Sequence, residues 1–449
     1  MKRLISQRNQ QEVENHKLIN VIDEIKALAQ LPILTKSNYL LEYPYEELCW
    51  PDQMEKIHFI GSSSGFSKSG IVYWTKRPED EIDYMEAIEM MLRQNYQIDK
   101  KRTLIFCCMA LGLWIGGMMI TSTLRVLAMK GRNNITVVTP GLNLKEAVDI
   151  YEKFHNKYEQ TLWITNPSNI SIITALINKK NINYKPGSNF FPVVGEYYSE
   201  AFREKVATEY GHTIDSPFVV WTGYGSADTG DIAVETEATI RFRKYLYRNP
   251  EVNKCLFRSD ETPMILELSD KVFVEIIEDQ IVVTKDQLIP LVRYNTGDCG
   301  GFLDKDFTLN CFNIPDEIAE DLPERMLYVF GRATDNIIFY GTNLNLLSIN
   351  NHFLSLPKEY KYSGLFQVKE MLVDGLTHFN FTIYTEDYDN SMLSKMYYNE
   401  LIQFLKSSSS EFETKFINLS NSVEKPLITL QLEDISSIDV KVKHKFLAD

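Results

Sequence analysis

The sequence predicts an α/β fold: a large N-terminal domain with α/β layers and a β-rich subdomain, plus a small mobile α+β C-terminal domain. Three observations support this prediction. Short β-type runs alternate with helical stretches as far as residue 221, which is typical of layered sheets and helices. Short β runs dominate from 236 to 292. The 449 residues also exceed what a single core usually serves, so two or more domains are expected.

The alternation can be followed element by element in the first half of the chain. Apolar and β-branched runs predict strands, and apolar residues at helical spacing predict helices. The strands are expected at 103–106, 135–138, 162–164, 189–194 and 218–221. The helices are expected at 79–94, 144–154, 170–178 and 199–210. This order favours sheets that are partly parallel.

The second half of the chain changes character. Its first β runs are expected at 264–268, 272–277 and 280–284. After Gly331 a smaller unit is expected, with β runs at 364–373, 378–385 and 426–432 and a helix at 391–405. The lengths therefore predict an N-terminal domain over 1–332 and a small C-terminal domain over 333–449.

Charge and composition exclude some classes of protein. The net charge of -14 argues against a nucleic-acid-binding surface, because phosphate neutralisation needs clustered Lys and Arg. Six scattered Cys without a CxxC pair suit a reducing compartment. The uncharged run 104–120 is at the short limit for a membrane span, but its three glycines favour a buried strand that enters a buried helix. We therefore expect a cytoplasmic protein without a membrane span.

A loop rich in Gly and Ser, GSSSGFSKSG, runs from Gly61 to Gly70. Glycine lets backbone N–H groups approach a polyphosphate, and serine hydroxyls donate further hydrogen bonds. The loop lacks the spacing of a Walker A motif. A solvated turn is the alternative reading of this segment alone.

Two later segments place a carboxylate after glycine. WTGYGSAD ends at Asp228 and offers an aromatic ring for a purine and a carboxylate for Mg²⁺; an ordinary strand end with a turn is the alternative. YNTGD ends at Asp298, whose carboxylate suits ribose hydroxyls. Gly331 and Arg332 follow and add a guanidinium that suits phosphate or ribose oxygens.

In sequence order, these segments resemble the core motifs of the adenylate-forming superfamily, which contains acyl-CoA synthetases, peptide-synthetase adenylation domains and luciferases. GSSSGFSKSG is similar to its phosphate loop, YGSAD to its Tyr-Gly-x-Thr-Glu motif, YNTGD to its Tyr-x-Thr-Gly-Asp motif, and GRATDNIIFYGTNLN to its hinge motif. LPILTKSNYL and VVGEYYSEAFREKVATEYG resemble the phenylacetate–CoA ligase-like branch. The resemblance covers residues 31 to 346.

The resemblance implies a site for ATP and Mg²⁺. The residues implied to bind the ATP phosphates are Ser63, Ser64, Gly65 and Ser67. Tyr224, followed by Gly225, would stack on adenine, while Asp228 would hold Mg²⁺ and Asp298 the ribose. Arg332 would bind ribose or phosphate.

The resemblance also implies positions for the acid and for the moving parts. Gly195 and Glu196 would line the nucleotide and acyl pocket. Thr334 and Asp335 would form the hinge about which the small domain rotates. The implied adenylation lysine is Lys441, with Lys443 and Lys445 as alternatives.

The implied reaction is ATP-dependent activation of a carboxylic acid to an acyl-adenylate, followed by transfer to a thiol such as coenzyme A. A carrier-protein or protein thiol is the alternative acceptor. The pairs Phe190–Phe191 and Tyr197–Tyr198 flank Gly195 and Glu196 and suit an aromatic or apolar acid. Aromatic residues make up 12% of the chain, so a place in the core is the alternative. Homodimers are frequent in the branch.

Several residues depart from the pattern of the family. Phe66 and Lys68 replace the usual small residues of the phosphate loop, and Val440 stands where glycine usually precedes the tail lysine. Asp228 replaces the usual Glu and shortens the reach to a metal by one methylene. These departures leave open a relative that binds nucleotide without adenylating.

Overall fold

The computed structural model describes residues 27–62, 72–312, 314–332, 336–340, 342–373, 376–420, 426–438, 444, 446 and 447. The strands are β1 (Phe59–Ser62), β2 (Tyr73–Lys76), β3 (Thr103–Cys107), β4 (Ile135–Val138), β5 (Gln160–Ile164), β6 (Asn189–Val193), β7 (Val220–Ser226), β8 (Gly230–Val234), β9 (Met264–Leu268), β10 (Phe273–Ile277), β11 (Gln280–Lys285), β12 (Leu291–Asp304), β13 (Arg325–Arg332), β14 (Asn336–Phe339), β15 (Thr342–Asn345), β16 (Phe366–Val373), β17 (Leu376–Thr385) and β18 (Ile428–Asp434). The helices are α1 (Tyr45–Leu48), α2 (Pro78–Tyr96), α3 (Ile115–Met129), α4 (Leu144–Phe154), α5 (Pro167–Lys179), α6 (Glu200–Glu209), α7 (Glu237–Arg248), α8 (Pro250–Phe257), α9 (Lys305–Cys311), α10 (Asp316–Ala319), α11 (Leu346–Ser355), α12 (Ser391–Ser408) and α13 (Ser410–Ser420).

One large mixed sheet organises the chain before residue 333. Its strand order is β10-β11-β12-β13-β9-β8-β7-β6-β5-β3-β4. The strands from β4 to β7 pair in parallel, and those from β7 to β10 pair antiparallel. The parallel part needs helical crossovers, which α3, α4, α5 and α6 supply.

The sequence explains these local structures. Helix α4 begins after Asn143, whose side chain accepts from the Glu146 N–H, and it buries Leu144, Val148 and Tyr151 on one face. The uncharged run at 104–120 contains most of the fully buried strand β3 and the start of α3. Among the described residues, none of the helices combines the length and the apolar character that crossing a membrane requires.

The residues after 335 form a smaller unit, here called the C-terminal unit, around a second core. Strand β17 pairs antiparallel with β16 and parallel with β18, and α11, α12 and α13 add apolar side chains such as Phe353 and Tyr397 to that core. Three of its buried side chains, Leu365, Tyr384 and Ile435, pack instead into the core of the large sheet. The two units are therefore in direct contact.

The predicted fold class is confirmed, with one local difference. The runs expected at 264–268, 272–277 and 280–284 are strands β9, β10 and β11, and they belong to the large sheet. Between residues 236 and 258, however, the chain forms helices α7 and α8. Thr236 and Thr239 form a capping box at the start of α7, which buries Phe242 and Leu246 four residues apart. The domain boundary at 332 remains a prediction.

Candidate functional site

A cavity of about 2240 Å³ lies at the carboxyl ends of the parallel strands. Met109 follows β3 and Asn166 follows β5, whereas Gly195 and Glu196 follow β6 and the end of β7 contributes Tyr224. In α/β sheets this edge is where ligands bind, because the loops there converge from several strands. The cavity is therefore the candidate site.

Two tyrosine–carboxylate hydrogen bonds, here called the crossed pairs, join the two acidic motifs on one wall of the cavity. The Tyr224 hydroxyl donates to Asp298 Oδ2 at 2.9 Å. The Tyr294 hydroxyl donates to Asp228 Oδ2 at 2.7 Å. Each motif thus supplies the tyrosine that binds the carboxylate of the other, and all four side chains line the same space.

The crossed pairs require a strongly curved sheet. Strands β7 and β12 are separated in the strand order by β8, β9 and β13. Four strand spacings in a flat sheet would amount to about 19 Å, which the two side chains of a pair cannot span. The sheet must therefore curl until β12 faces β7, and this curvature creates the wall.

The backbone around Asp298 holds its carboxylate in place. Gly297 has φ +81°, a conformation that favours glycine. The Asn295 side chain accepts from the Gly297 N–H at 2.8 Å, and the Thr296 hydroxyl accepts from the Asp298 N–H at 3.2 Å. Asp298 also lies opposite Arg332 in the register of β12 and β13. The backbones of the two predicted ribose ligands are therefore neighbours.

Glu196 lies between two parts of the chain that are distant in sequence. Both of its oxygens accept from Ser168, from the backbone N–H at 3.0 Å and from the hydroxyl at 3.0 Å. Its Oε1 atom also accepts from the backbone N–H of His444 at 2.7 Å. The preceding Gly195 has φ +87°. Glu196 therefore lines the cavity, and its described partners are protein groups.

A buried ion cluster lies beneath this wall and was not predicted. Glu200, Arg203, Glu235 and Arg243 are all at most 2% exposed. Arg203 and Arg243 each contact both carboxylates. Although burial opposes the charged form of Arg203, the two carboxylates raise its pKa overall. The cluster thus pairs two guanidiniums with two carboxyl groups.

The cluster fixes the strand that carries Tyr224. Glu235 Oε2 accepts from the Tyr198 hydroxyl at 2.8 Å and from the Thr222 N–H at 3.1 Å, and burial raises the pKa of Tyr198. One sequence signal could have revealed the cluster. Glu200 and Arg203 occupy the face of α6 that also buries Ala207, and charged residues on an apolar helix face are seldom buried unless paired.

Part of the predicted site lies outside the described residues. This applies to the phosphate-loop residues, the hinge residues and the tail lysine: Ser63, Ser64, Gly65, Ser67, Thr334, Asp335 and Lys441. Of Arg332 only the backbone is described. The roles predicted for these residues remain predictions.

The aromatic residues expected near Gly195 divide into two groups. Phe191 is fully buried, and Phe190 packs edge-on against Tyr96 at 5.4 Å between ring centroids; both belong to the core. Tyr197 and Tyr198 line the cavity. The apolar wall of the cavity comes mainly from α2, α3 and the loops beside them, through Met91, Met109, Trp114, Met119, Ile120 and Phe218.

Comparisons with known proteins identify the fold. No family model and no curated protein matches the chain. Among solved structures, it is similar to a 2-hydroxyisobutyryl-CoA ligase in the postadenylation state with an acyl-AMP bound, with a TM-score of 0.62, 14% identity, and coverage of 99% of this chain and 85% of that one.

Two further structures of the same ligase are also similar. Its thioesterification state, with 2-HIB-AMP and CoA, has a TM-score of 0.51, 13% identity and coverage of 99% and 85%. An open conformation with the same ligands has a TM-score of 0.52, 13% identity and coverage of 99% and 87%. The chain therefore has the fold of the adenylate-forming ligases, as the motif resemblance implied.

Proposed function

We propose that this protein is an AMP-forming acid–thiol ligase. It uses ATP to convert a carboxylic acid into an acyl-adenylate and transfers the acyl group to a thiol such as coenzyme A. The observation that carries this proposal is the pair of crossed hydrogen bonds Tyr224–Asp298 and Tyr294–Asp228. They gather the residues that would bind adenine, ribose and Mg²⁺ on one wall of a cavity, in a fold shared with a CoA ligase.

The crossed pairs suit a nucleotide. The hydrogen bond to Asp298 fixes the ring of Tyr224, which can then stack on adenine. Asp298 and the backbone of Arg332 are adjacent, so a ribose bound by the carboxylate would lie beside strand β13. Gly225 allows β7 to lie close to the backbone of Gly230, because a Cβ there would meet the Gly230 carbonyl oxygen at 2.2 Å.

Asp228 is the residue that would hold Mg²⁺. Among the described residues no group of three His, Cys, Asp or Glu could bind a metal ion. Mg²⁺ is often held by one or two carboxylates together with substrate phosphates and water, and Asp228 lines the cavity. When bound, the ion would neutralise charge on the phosphates, and Lys441 would do the same at the α-phosphate.

The apolar part of the cavity lining indicates the class of acid. Met91, Met109 and Ile120 belong to it, and such apolar side chains favour an acid with an apolar or aromatic body. A carboxylate is a poor electrophile, but its attack on the α-phosphate of ATP releases pyrophosphate and gives a mixed anhydride in which AMP is a good leaving group. Attack by the thiol of coenzyme A then releases AMP; a carrier-protein or protein thiol is the alternative acceptor.

The arrangement of the two units supports assigning this structure to the first half-reaction. The TM-score is 0.62 against the postadenylation state of the similar ligase and 0.51 against its thioesterification state. The difference is expected if the C-terminal unit lies as it does when the adenylate forms. Rotation about Thr334 and Asp335 would then admit the thiol.

The test is acid-dependent exchange of pyrophosphate into ATP with Mg²⁺, over a panel of aromatic and fatty acids. Exchange with at least one acid is expected, and Asp298→Ala should lower it at least about 100-fold because the ribose loses its ligand. Lys441→Ala should also be impaired. Asp321→Asn, which alters a surface pair with Arg241, should behave as wild type.

The result also separates the alternatives. Tight ATP binding without exchange for any acid would favour a relative that binds nucleotide but does not adenylate. Exchange that persists in Asp298→Ala would contradict the role of the crossed pairs.

A further inference from the structure

The C-terminal tail reaches the cavity through the backbone of His444. The His444 N–H donates to Glu196 Oε1 at 2.7 Å, and the two residues are 248 positions apart in sequence. Glu196 follows β6 of the large sheet, whereas the tail ends the C-terminal unit. This hydrogen bond therefore joins the two units at the cavity itself.

The tail is also attached to its own unit. The His444 ring nitrogen Nε2 lies 2.8 Å from the Phe366 carbonyl oxygen. The Val368 N–H donates to the Phe446 carbonyl at 2.7 Å, and Leu447 forms a parallel bridge with Val368. The tail thus lies along the edge of β16, and its position relative to the cavity is set where it meets Glu196.

Glu196 is well suited to hold a backbone N–H. It accepts from the N–H of Ser168, the second residue of helix α5, where the helix dipole favours a negative charge. The Ser168 hydroxyl binds the other oxygen. These contacts orient the carboxylate before the tail arrives, so the bond to His444 costs little side-chain entropy.

We propose that Glu196 is a positioning residue that docks the C-terminal tail at the cavity for adenylation. Lys441, the implied adenylation lysine, stands three residues before His444 in the sequence, which is the reason to expect that docking affects adenylation. Docking is needed for the first half-reaction and must be released for the thiol step. The inference rests on the proposed function for its catalytic consequence, but the docking itself is a property of the folded chain.

Hydrogen–deuterium exchange of the whole protein without ligands tests the docking. In Glu196→Gln, one neutral amide oxygen replaces two charged acceptors, so the His444 amide and the more distant Val368 amide should exchange about tenfold faster or more. Ser168→Ala should give a smaller change in the same direction. Glu152→Gln, at a surface pair with Lys180, should leave both amides unchanged. Exchange unaltered in both Glu196→Gln and Ser168→Ala would overturn the proposal.

Kinetics of the two half-reactions test the consequence. With an acid that supports exchange, Glu196→Gln should lower kcat for pyrophosphate exchange about tenfold or more with little change in the KM for ATP. Conversion of the supplied acyl-adenylate to the thioester should be unaffected. An equal loss in both half-reactions would contradict a positioning role. If wild type shows no exchange with any acid, the proposed function fails, yet faster amide exchange in Glu196→Gln would still support docking.

Discussion

Carboxylates line the same cavity in the crossed pairs and in the hydrogen bond from His444 to Glu196, here called the dock. The two kinds of contact differ in what holds each carboxylate. In the crossed pairs, a tyrosine of one strand binds a carboxylate of another strand in the same sheet. At the dock, a carboxylate of the large sheet binds a backbone N–H of the other unit. The first contacts exist whenever the sheet is folded. The second would be lost if the two units moved apart, so it could act as a switch under the proposed rotation.

The largest expected effect is on the buried ion cluster beneath the crossed pairs. Glu235→Gln leaves two buried guanidiniums with a single carboxylate, Glu200, which should lower the free energy of unfolding by about 3–5 kcal/mol. Urea denaturation followed by circular dichroism measures this change. Asp321→Asn, at an exposed ion pair, should change it by no more than about 0.5 kcal/mol. If Glu235→Gln lowered the free energy of unfolding no more than the control does, the cluster would not stabilise the wall of the cavity.

A smaller effect is expected within one crossed pair. Tyr224→Phe keeps the ring but removes the hydroxyl that binds Asp298. Because a hydrogen bond to a charged group is lost, kcat/KM for ATP in the exchange assay should fall about tenfold. Tyr184→Phe, whose hydroxyl binds the Glu209 carbonyl outside the cavity, is the matched control. Equal values for the two variants would argue against the pair.

The smallest expected effect is the pH dependence of the dock. Loss of water around the ring lowers the pKa of His444 from 6.5 to about 4. A proton therefore favours the undocked tail: docking is complete above pH 6.5 and weakens as the pH falls towards 4. At pH 6 it should be about fourfold weaker.

The readout for this pH dependence is exchange of the Val368 amide, corrected for its intrinsic rate. In His444→Gln, the amide side chain can still donate to Phe366 but does not titrate, so the dependence should disappear. A pH profile shared by wild type and this variant would assign the effect to another group.

Much of the fold could be predicted from the sequence because its signals are local. The helix predicted at 144–154 and the strand at 135–138 have the bounds of α4 and β4, since apolar spacing and capping residues lie within each segment. The motif resemblance correctly implied the fold of the large unit and of the chain as a whole. Helices α7 and α8 were missed, because the β runs on their C-terminal side dominated the interpretation of that region.

The contacts that give the site its shape are not local. Tyr224 and Asp298 are 74 residues apart, and only the curvature of the sheet brings them together. Phe190 and Phe191 could not be assigned to the core from their positions beside Gly195, because strand direction decides which residues face the cavity. Glu196 lines the cavity, but its bond to the tail follows from the arrangement of two units, which no short segment encodes.

The crossed pairs also limit how this protein can be re-engineered. Since each acidic motif depends on a hydroxyl from the other, a segment transplanted from a relative would arrive without its partner. A graft that replaced Asp228 by the longer Glu of the usual motif would push against Tyr294, some 66 residues away. Chimeras should therefore replace segments 220–228 and 291–298 together, with both taken from the same relative.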